Sequence, residues 1–498
     1  MKFELNSLYL ADGYKTGHYN MYKDDLEVVY SNFTPRSSNY APKGNNGKVL
    51  NFGQQYVIKF IVDHFNNNFF NLKKEDIVKD IKTNLSQYLG VEYDTKHIED
   101  LHDLGYLPLQ IRSLTEGIES AVKIPILFLY NTDNNFGWLT NYVETIISNM
   151  LWQPVTTATN VLLMKRIVTE AVLDTDEKNL WLTDFMLHDF SMRGLTGLDS
   201  AIGSGMAFAA VSKGSDSLPC IKASQYYYNE TECPVFSVRA TEHSQMTAGG
   251  VEGEFEIYED LLTKFPNGIL SIVSDSFNLW RVLTDYLPKL KDLIMSRDGK
   301  LVIRPDSGSP IDIICGTTTV SNKWVEEIAP QTISQKKGVI ELLWDTFGGT
   351  INEQGYKVLD SHIGMIYGEA INQNNIKEIF SRLKDKGFAS TNCVFGQGSF
   401  SMQYVTRDTW GIAIKCVAQQ RGGKLVEIFK DPITDDGTKK SAKGLTIVLK
   451  DENGDYYLKD QASLDEVNSE ENELKVIFQD GKFYNQTTLT EIRNRING

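Results

Sequence analysis

Residues 301–308 read LVIRPDSG: an apolar run, Leu301–Ile303, breaks off into arginine, proline, an acid, serine and glycine. Short apolar runs with no polar alternation suit strands buried on both faces, as in a parallel sheet. The same grammar recurs on either side of this stretch. Upstream, Asp184–Leu187 is followed by HDFSMRG, Val235–Val238 by RATEHS and Ile269–Val273 by SDS. Downstream, Ile363–Ile366 is followed by YGE and Cys393–Phe395 by GQGS.

Between these runs the pattern turns helical. Ile376, Ile379, Phe380 and Leu383 share one helix face, with Asn374 or Asn375 as N-cap and Gly387 as the C′ glycine. Glu254–Phe265 reads the same way. Strand, polar cluster and helix repeated over 151–400 predict an α/β fold with an irregular (β/α) barrel, although an open doubly wound sheet has the same local pattern. Either architecture gathers the polar clusters on one rim, at the carboxyl ends of the strands. The flanks differ in composition. Residues 1–150 mix helix signals with aromatic strands, and 401–498 read as antiparallel β, with turns at Asn453-Gly454 and Asp480-Gly481. They are expected to pack together as an α+β domain beside the barrel.

The 498 residues, 41% hydrophobic and 23% charged, are those of a globular chain with more than one packed unit. A formal charge of −15 argues against nucleic acid as a partner, and no apolar run suits a membrane span. The start, MKFELNSLYLADGYK, has polar breaks where a signal peptide is apolar. Five irregularly spaced cysteines without a CxxC pair point away from zinc and disulfide frameworks and towards the cytoplasm.

The rim clusters carry the chemistry. Gly368 with Glu369, and Gly396 to Ser399, place glycines after the last strands, where barrel enzymes commonly bind phosphate; otherwise they are tight turns. Arg304 and Asp306 suit a planar polar substrate, or form a salt-bridged turn. His243 lies on the same rim, where Asp275 is placed to fix its tautomer. Arg193 adds a second arginine. Together these residues favour an enzyme acting on a phosphorylated substrate.

Several motifs are similar, in order and spacing, to those of the nicotinate/nicotinamide phosphoribosyltransferase family over nearly the whole chain. They are ADGYKTGHY, WLTNYVETIISNMLWQPVTTAT, LHDFSMRG, KGSDS, SVRATEHS, SIVSDSF, IRPDSGSP, FGQGS, VTRD and FKDP. The resemblance implies a pentosyltransferase in NAD salvage: the ring nitrogen of nicotinamide displaces pyrophosphate from phosphoribosyl pyrophosphate, giving nicotinamide mononucleotide. Nicotinate is the alternative base. Mg²⁺ is expected to ride mainly on the pyrophosphate, with no dedicated protein metal site, and ATP is expected as a coupling substrate.

The resemblance also implies roles by position. Phe190 stacks on the pyridine ring, Asp216 accepts from the carboxamide, and Arg304 and Ser271 lie near its carbonyl. Tyr14 closes the other ring face from the partner subunit of a homodimer with shared sites. Arg193, Asp306, Gly368, Glu369, Gly398 and Ser399 surround the ribose and its phosphate. Arg36, Arg407, Lys415 and Lys430 face pyrophosphate or ATP phosphates, and His243 is the residue ATP phosphorylates, with Asp275 as its supporting acid.

This chain departs from the pattern at several of these places. Glu369 replaces an aspartate and Ser399 a glycine, while Arg239 replaces a proline and is expected to add charge near His243. Ser191 and Met192 also differ, and residues 316–336 read as an insertion. A weaker likeness, Asp345 to Thr350, is to the substrate loop of a Rossmann-like transferase class; the helical spacing of Val339, Leu342 and Leu343 before it speaks against that reading.

Overall fold

The computed structural model describes residues 5–44, 46–317, 332–429 and 442–498. It is a mixed α/β structure built on a parallel and an antiparallel sheet, each of seven strands. The parallel strands are β1 (Leu187–Asp189), β2 (Gly214–Ser215), β3 (Arg239–Ala240), β4 (Leu270–Val273), β5 (Leu301–Arg304), β6 (Ile363–Tyr367) and β7 (Cys393–Gln397). Their order in the sheet is β2-β1-β7-β6-β5-β4-β3. The sheet curls: Gly214 of edge strand β2 makes a parallel bridge to Phe236, just before the other edge strand, β3.

The apolar runs are buried as their patterning requires. Leu301 and Ile303 of β5, Ile272 of β4, and Cys393 and Phe395 of β7 have essentially no exposure. Each such side chain contributes about 1.5–3 kcal/mol of burial. Two strands fall later than the apolar runs suggest. Asp184 ends a 3₁₀ turn (Glu177–Asp184), so β1 starts at Leu187; Val235–Val238 contributes only the Phe236 bridge before β3. Strand β2 carries no apolar run at all, being Gly214 and Ser215.

The expected helices are present. Gln373–Asp385 is capped by Asn372, not by Asn374 or Asn375: Asn372 Oδ1 accepts from the N–H groups of both. Gly387 takes φ 75°, as a C′ glycine does. Thr332–Phe347 is helical on either side of a break at Gly338, so the Asp345 to Thr350 stretch begins in the last turn of a helix and does not follow a strand. Gly250–Lys264 covers the region expected from Glu254 onwards.

The antiparallel sheet interleaves both ends of the chain, in the order Lys424–Glu427, Ala413–Arg421, Leu26–Thr34, Leu127–Asn131, Leu109–Ser113, Lys475–Gln479, Lys482–Phe483. A small hairpin pairs Ile447–Lys450 with Tyr456–Lys459. The 39-residue helix Gly137–Thr175 runs across residue 150 and packs on both halves, touching the Leu26–Thr34 strand and the helix Leu198–Val211. Buried Lys165 on that helix donates to Asp184, to the Val211 carbonyl and to Asn497 of the last helix, Leu489–Asn497. Among the described residues, no helix is long and apolar enough to cross a membrane.

Candidate active site

The loops after β1, β2, β5, β6 and β7 enclose a cavity of about 510 Å³ at the carboxyl ends of the strands. Phe190, Arg193, Asp216, Arg304 and Asp306 line it, together with Gly368, Glu369, Gly398 and Ser399. Phe190 follows β1 directly, and its N–H donates to the Gln397 carbonyl. Its ring lies on bare backbone: a Cβ on Gly396 would stand 2.2 Å from the ring carbons, and one on Gly368 2.9 Å. Ser399 finds room the same way, since a Cβ on Gly194 would come within 2.4 Å of the serine Cβ.

Asp216 follows β2, its N–H bonded to the Asp189 carbonyl. His188 Nε2 lies 3.1 Å from Asp216 Oδ1, and Ser237 Oγ donates to the same oxygen. Burial works to raise the carboxyl pKa, but donors from His188 and Ser237 and the charge of Arg304 outweigh it and hold Asp216 below its ordinary value. Arg304 donates to the Thr241 carbonyl. Burial weakens its charged form, while Asp306, Asp216 and Asp275 favour it.

Asp306 belongs to a tightly bonded turn. Its N–H and the Ser307 hydroxyl both donate to Asp275 Oδ2, at 2.9 and 2.5 Å. Tyr367 OH donates to the carbonyls of Ser307 and Gly308. Burial raises the Asp306 pKa, Arg304 opposes, and the neighbouring Asp275 adds to the rise. Beside Glu369, Ala370 holds φ 53°, a conformation an L-residue adopts at a cost of order 1 kcal/mol or more. Asn375 Nδ2 donates to its carbonyl.

His243 begins a short helix and touches this turn from the side. Its Nε2 is 3.9 Å from Asp275 Oδ1 and 4.0 Å from Asp306 Oδ2, beyond hydrogen-bond reach. The hydrogen-bond contact is instead at Nδ1, 3.0 Å from Ser276 Oγ. Asp275 Oδ1 is buried with no hydrogen-bond partner among the described residues. Arg239 does not add charge there: it pairs with Leu270 at the start of β4, and its guanidinium lies 5.1 Å from the Phe265 ring centre.

Other expected residues lie apart from the cavity. Ser271 is buried in β4, and Tyr14, in the 3₁₀ helix Gly13–Asn20, is 65% exposed. Arg36, Arg407 and Lys415 sit on the antiparallel-sheet side: Arg36 bonds the Trp410 and Gly411 carbonyls, and Lys415 pairs with Asn32. Lys430 and most of the 316–336 insertion lie outside the described residues. Sequence reasoning missed His188, Ser237 and Ser276, although each lies in a quoted motif. For His188 a signal existed: it precedes Phe190 by two residues, so strand alternation puts both on one face.

A family model described as the nicotinate phosphoribosyltransferase (NAPRTase) family matches residues 185–481, which include every strand of the parallel sheet. The chain belongs to that family. Among curated members, it is similar to the nicotinamide phosphoribosyltransferase of Acinetobacter baylyi, at 40% identity over 100% of this chain and 98% of the relative. It is also similar to the nicotinamide phosphoribosyltransferase of Mycoplasma pneumoniae, at 33% identity over 88% of this chain and 95% of the relative. The human nicotinic acid phosphoribosyltransferase structure shares the fold, with a TM-score of 0.54 at 15% identity over 98% of this chain and 92% of that one.

Proposed function

We propose that the protein transfers phosphoribose from phosphoribosyl pyrophosphate to nicotinamide, releasing pyrophosphate and nicotinamide mononucleotide. The observation that carries this reading is Asp216. Its Oδ1 is occupied by two donors, while Oδ2 receives none from the described residues and is left for a substrate N–H. A carboxamide supplies that N–H; the carboxylate of nicotinate brings a like charge instead, which costs several kcal/mol once the bound base excludes water from the pair. Phe190 offers a flat face to the pyridine ring. The full-length relatives named for nicotinamide support the same base.

The pyridine nitrogen carries no proton, so the reaction needs no general base. Positioning and stabilisation of the departing charge do the work. Arg193, Asp306, Glu369 and the Gly398-Ser399 turn hold the ribose and its phosphate. When bound, Mg²⁺ neutralises the pyrophosphate. The carboxylates of Asp306 and Glu369 line the same cavity and would face an ion that arrives on that group. His243 accepts a phosphoryl group from ATP, with Asp275 and Asp306 facing its Nε2.

The parallel sheet closes as an irregular barrel through Phe236, flanked by the α+β unit of both chain ends. A second copy brings Tyr14 to the open ring face and Arg36 to the shared site, and Arg36, Arg407, Lys415 and Lys430 are the basic residues for pyrophosphate or ATP phosphates. Exposure of Tyr14 supports this arrangement. Cytoplasmic residence fits five free cysteines.

The test is direct competition. Purified protein, phosphoribosyl pyrophosphate and Mg²⁺ are incubated with equal nicotinamide and nicotinate, with and without ATP. Nicotinamide mononucleotide is expected to dominate and to increase with ATP. Absence of any mononucleotide by mass spectrometry sinks the reading; dominance of the nicotinate product transfers it to the alternative base.

A further inference from the structure

We propose that His188 is a positioning and specificity-determining residue for base selection, acting by fixing the direction in which the Asp216 carboxylate meets the substrate amide. The proposal rests on the reading of Asp216 as the amide acceptor. Three observations carry it.

His188 is held by backbone on the β1 ladder, paired with Gly396 on one side and Gly214 on the other. Its ring has little room to turn. A Cβ on Gly214 would stand 2.7 Å from Nδ1, and the Phe190 ring centre is 5.1 Å away on another side. The ring is therefore wedged between strand β2 and the aromatic surface that would receive the pyridine.

Asp216 is the ring's hydrogen-bond partner among the described residues, through Nε2 at 3.1 Å. A carboxylate only accepts, so Nε2 carries the proton and a neutral imidazole suffices. Ser237 donates to the same Oδ1. Two donors on one oxygen oppose rotation about the Cβ–Cγ bond and so fix the plane of the carboxylate and the direction of its other oxygen. Among the described residues Oδ2 has no donor, at a residue lining the cavity.

The imidazole thus does not touch the substrate. It keeps the acceptor aimed, and through it the preference for an amide over a carboxylate. Without it, Ser237 alone holds the Asp216 carboxylate, which is then aimed less firmly. Nicotinamide then loses its preset acceptor, while nicotinate, which gains nothing from that oxygen, loses less.

The contrast that tests this is His188→Gln against His188→Asn. The glutamine amide nitrogen reaches the place of Nε2; that of asparagine reaches only the place of Nδ1 and falls short of Asp216. In His188→Asn the KM for nicotinamide is expected to rise about tenfold, the loss of one hydrogen bond to a charged group. The kcat should change by less than about threefold, and the KM for phosphoribosyl pyrophosphate should stay near its original value. The ratio of kcat/KM for nicotinamide over nicotinate should fall by about tenfold. His188→Gln should retain most of the original ratio and KM.

Equal behaviour of the two variants overturns the proposal, as does a parallel rise in both substrates' KM, since either means that ring packing alone matters. Failure of the original protein to use nicotinamide would instead overturn the parent reading and this one with it. Use of nicotinamide with an unmoved base ratio in His188→Asn overturns this one alone.

Discussion

Asp216 and Asp306 line the same cavity, four strands apart along the sheet, and their acidities are displaced in opposite directions. Burial pushes both upward. Asp216 has side-chain donors, His188 and Ser237, on one oxygen, and these bring it below its ordinary value. Asp306 has Arg304 in its favour but a second acid, Asp275, beside it, and stays raised. The neighbours, more than the depth, decide which acid holds its charge. One flank of the cavity is built to stay negative and the other to be negotiable.

Removing the cation both flanks share breaks the contrast most severely. Arg304→Ala leaves Asp216, Asp275 and Asp306 without their common counter-charge. We expect kcat/KM to fall about a thousandfold, read from steady-state mononucleotide formation. A fall of less than tenfold would mean that Arg304 is structural.

Asp216→Asn neutralises only the flank whose acid is held below its ordinary value. The preference for nicotinamide over nicotinate should shrink by about two decades, measured by competition in one vessel. Gly396→Ala tests the shared floor: a methyl at 2.2 Å from the Phe190 ring must displace it. Nicotinamide affinity should drop about tenfold, with stability lowered by about 1–3 kcal/mol in denaturant unfolding. An unchanged affinity would mean the ring is not the stacking surface.

The smallest effect is the one that separates the acids by titration. As pH falls, Asp306 takes up its proton first because its pKa is raised; Asp216, held low, keeps its charge further into acid. Turnover should therefore decline before the base preference does. Loss of preference ahead of turnover would contradict the assignment.

The rim was readable because its strands advertise themselves: Leu301–Ile303 and Ile363–Ile366 are unbroken apolar runs that end in charge, and the chain does break there. Strand β2 had no such signal. Two residues, Gly214 and Ser215, are placed by pairing with β1 and by the Phe236 bridge, both distant in sequence. Phe190, Asp216 and Arg304 were identifiable from motif resemblance and do share a cavity. The partners that set their behaviour were not, because Ser237 reaches Asp216 and Ser276 reaches His243 only through adjacent strand ends. Composition was silent on Arg239, whose charge the fold directs onto Phe265.

The antiparallel sheet has a consequence for how the chain is made. Leu109–Ser113 waits for its neighbour Lys475–Gln479, about 360 residues downstream. Leu26–Thr34 likewise waits for Ala413–Arg421. At roughly 5–20 residues per second on a ribosome, these edges stay open for tens of seconds after they emerge. Nascent chains are therefore sticky along backbone hydrogen-bonding edges for most of their synthesis, and a chaperone that shields extended strands would serve this protein during translation more than after it.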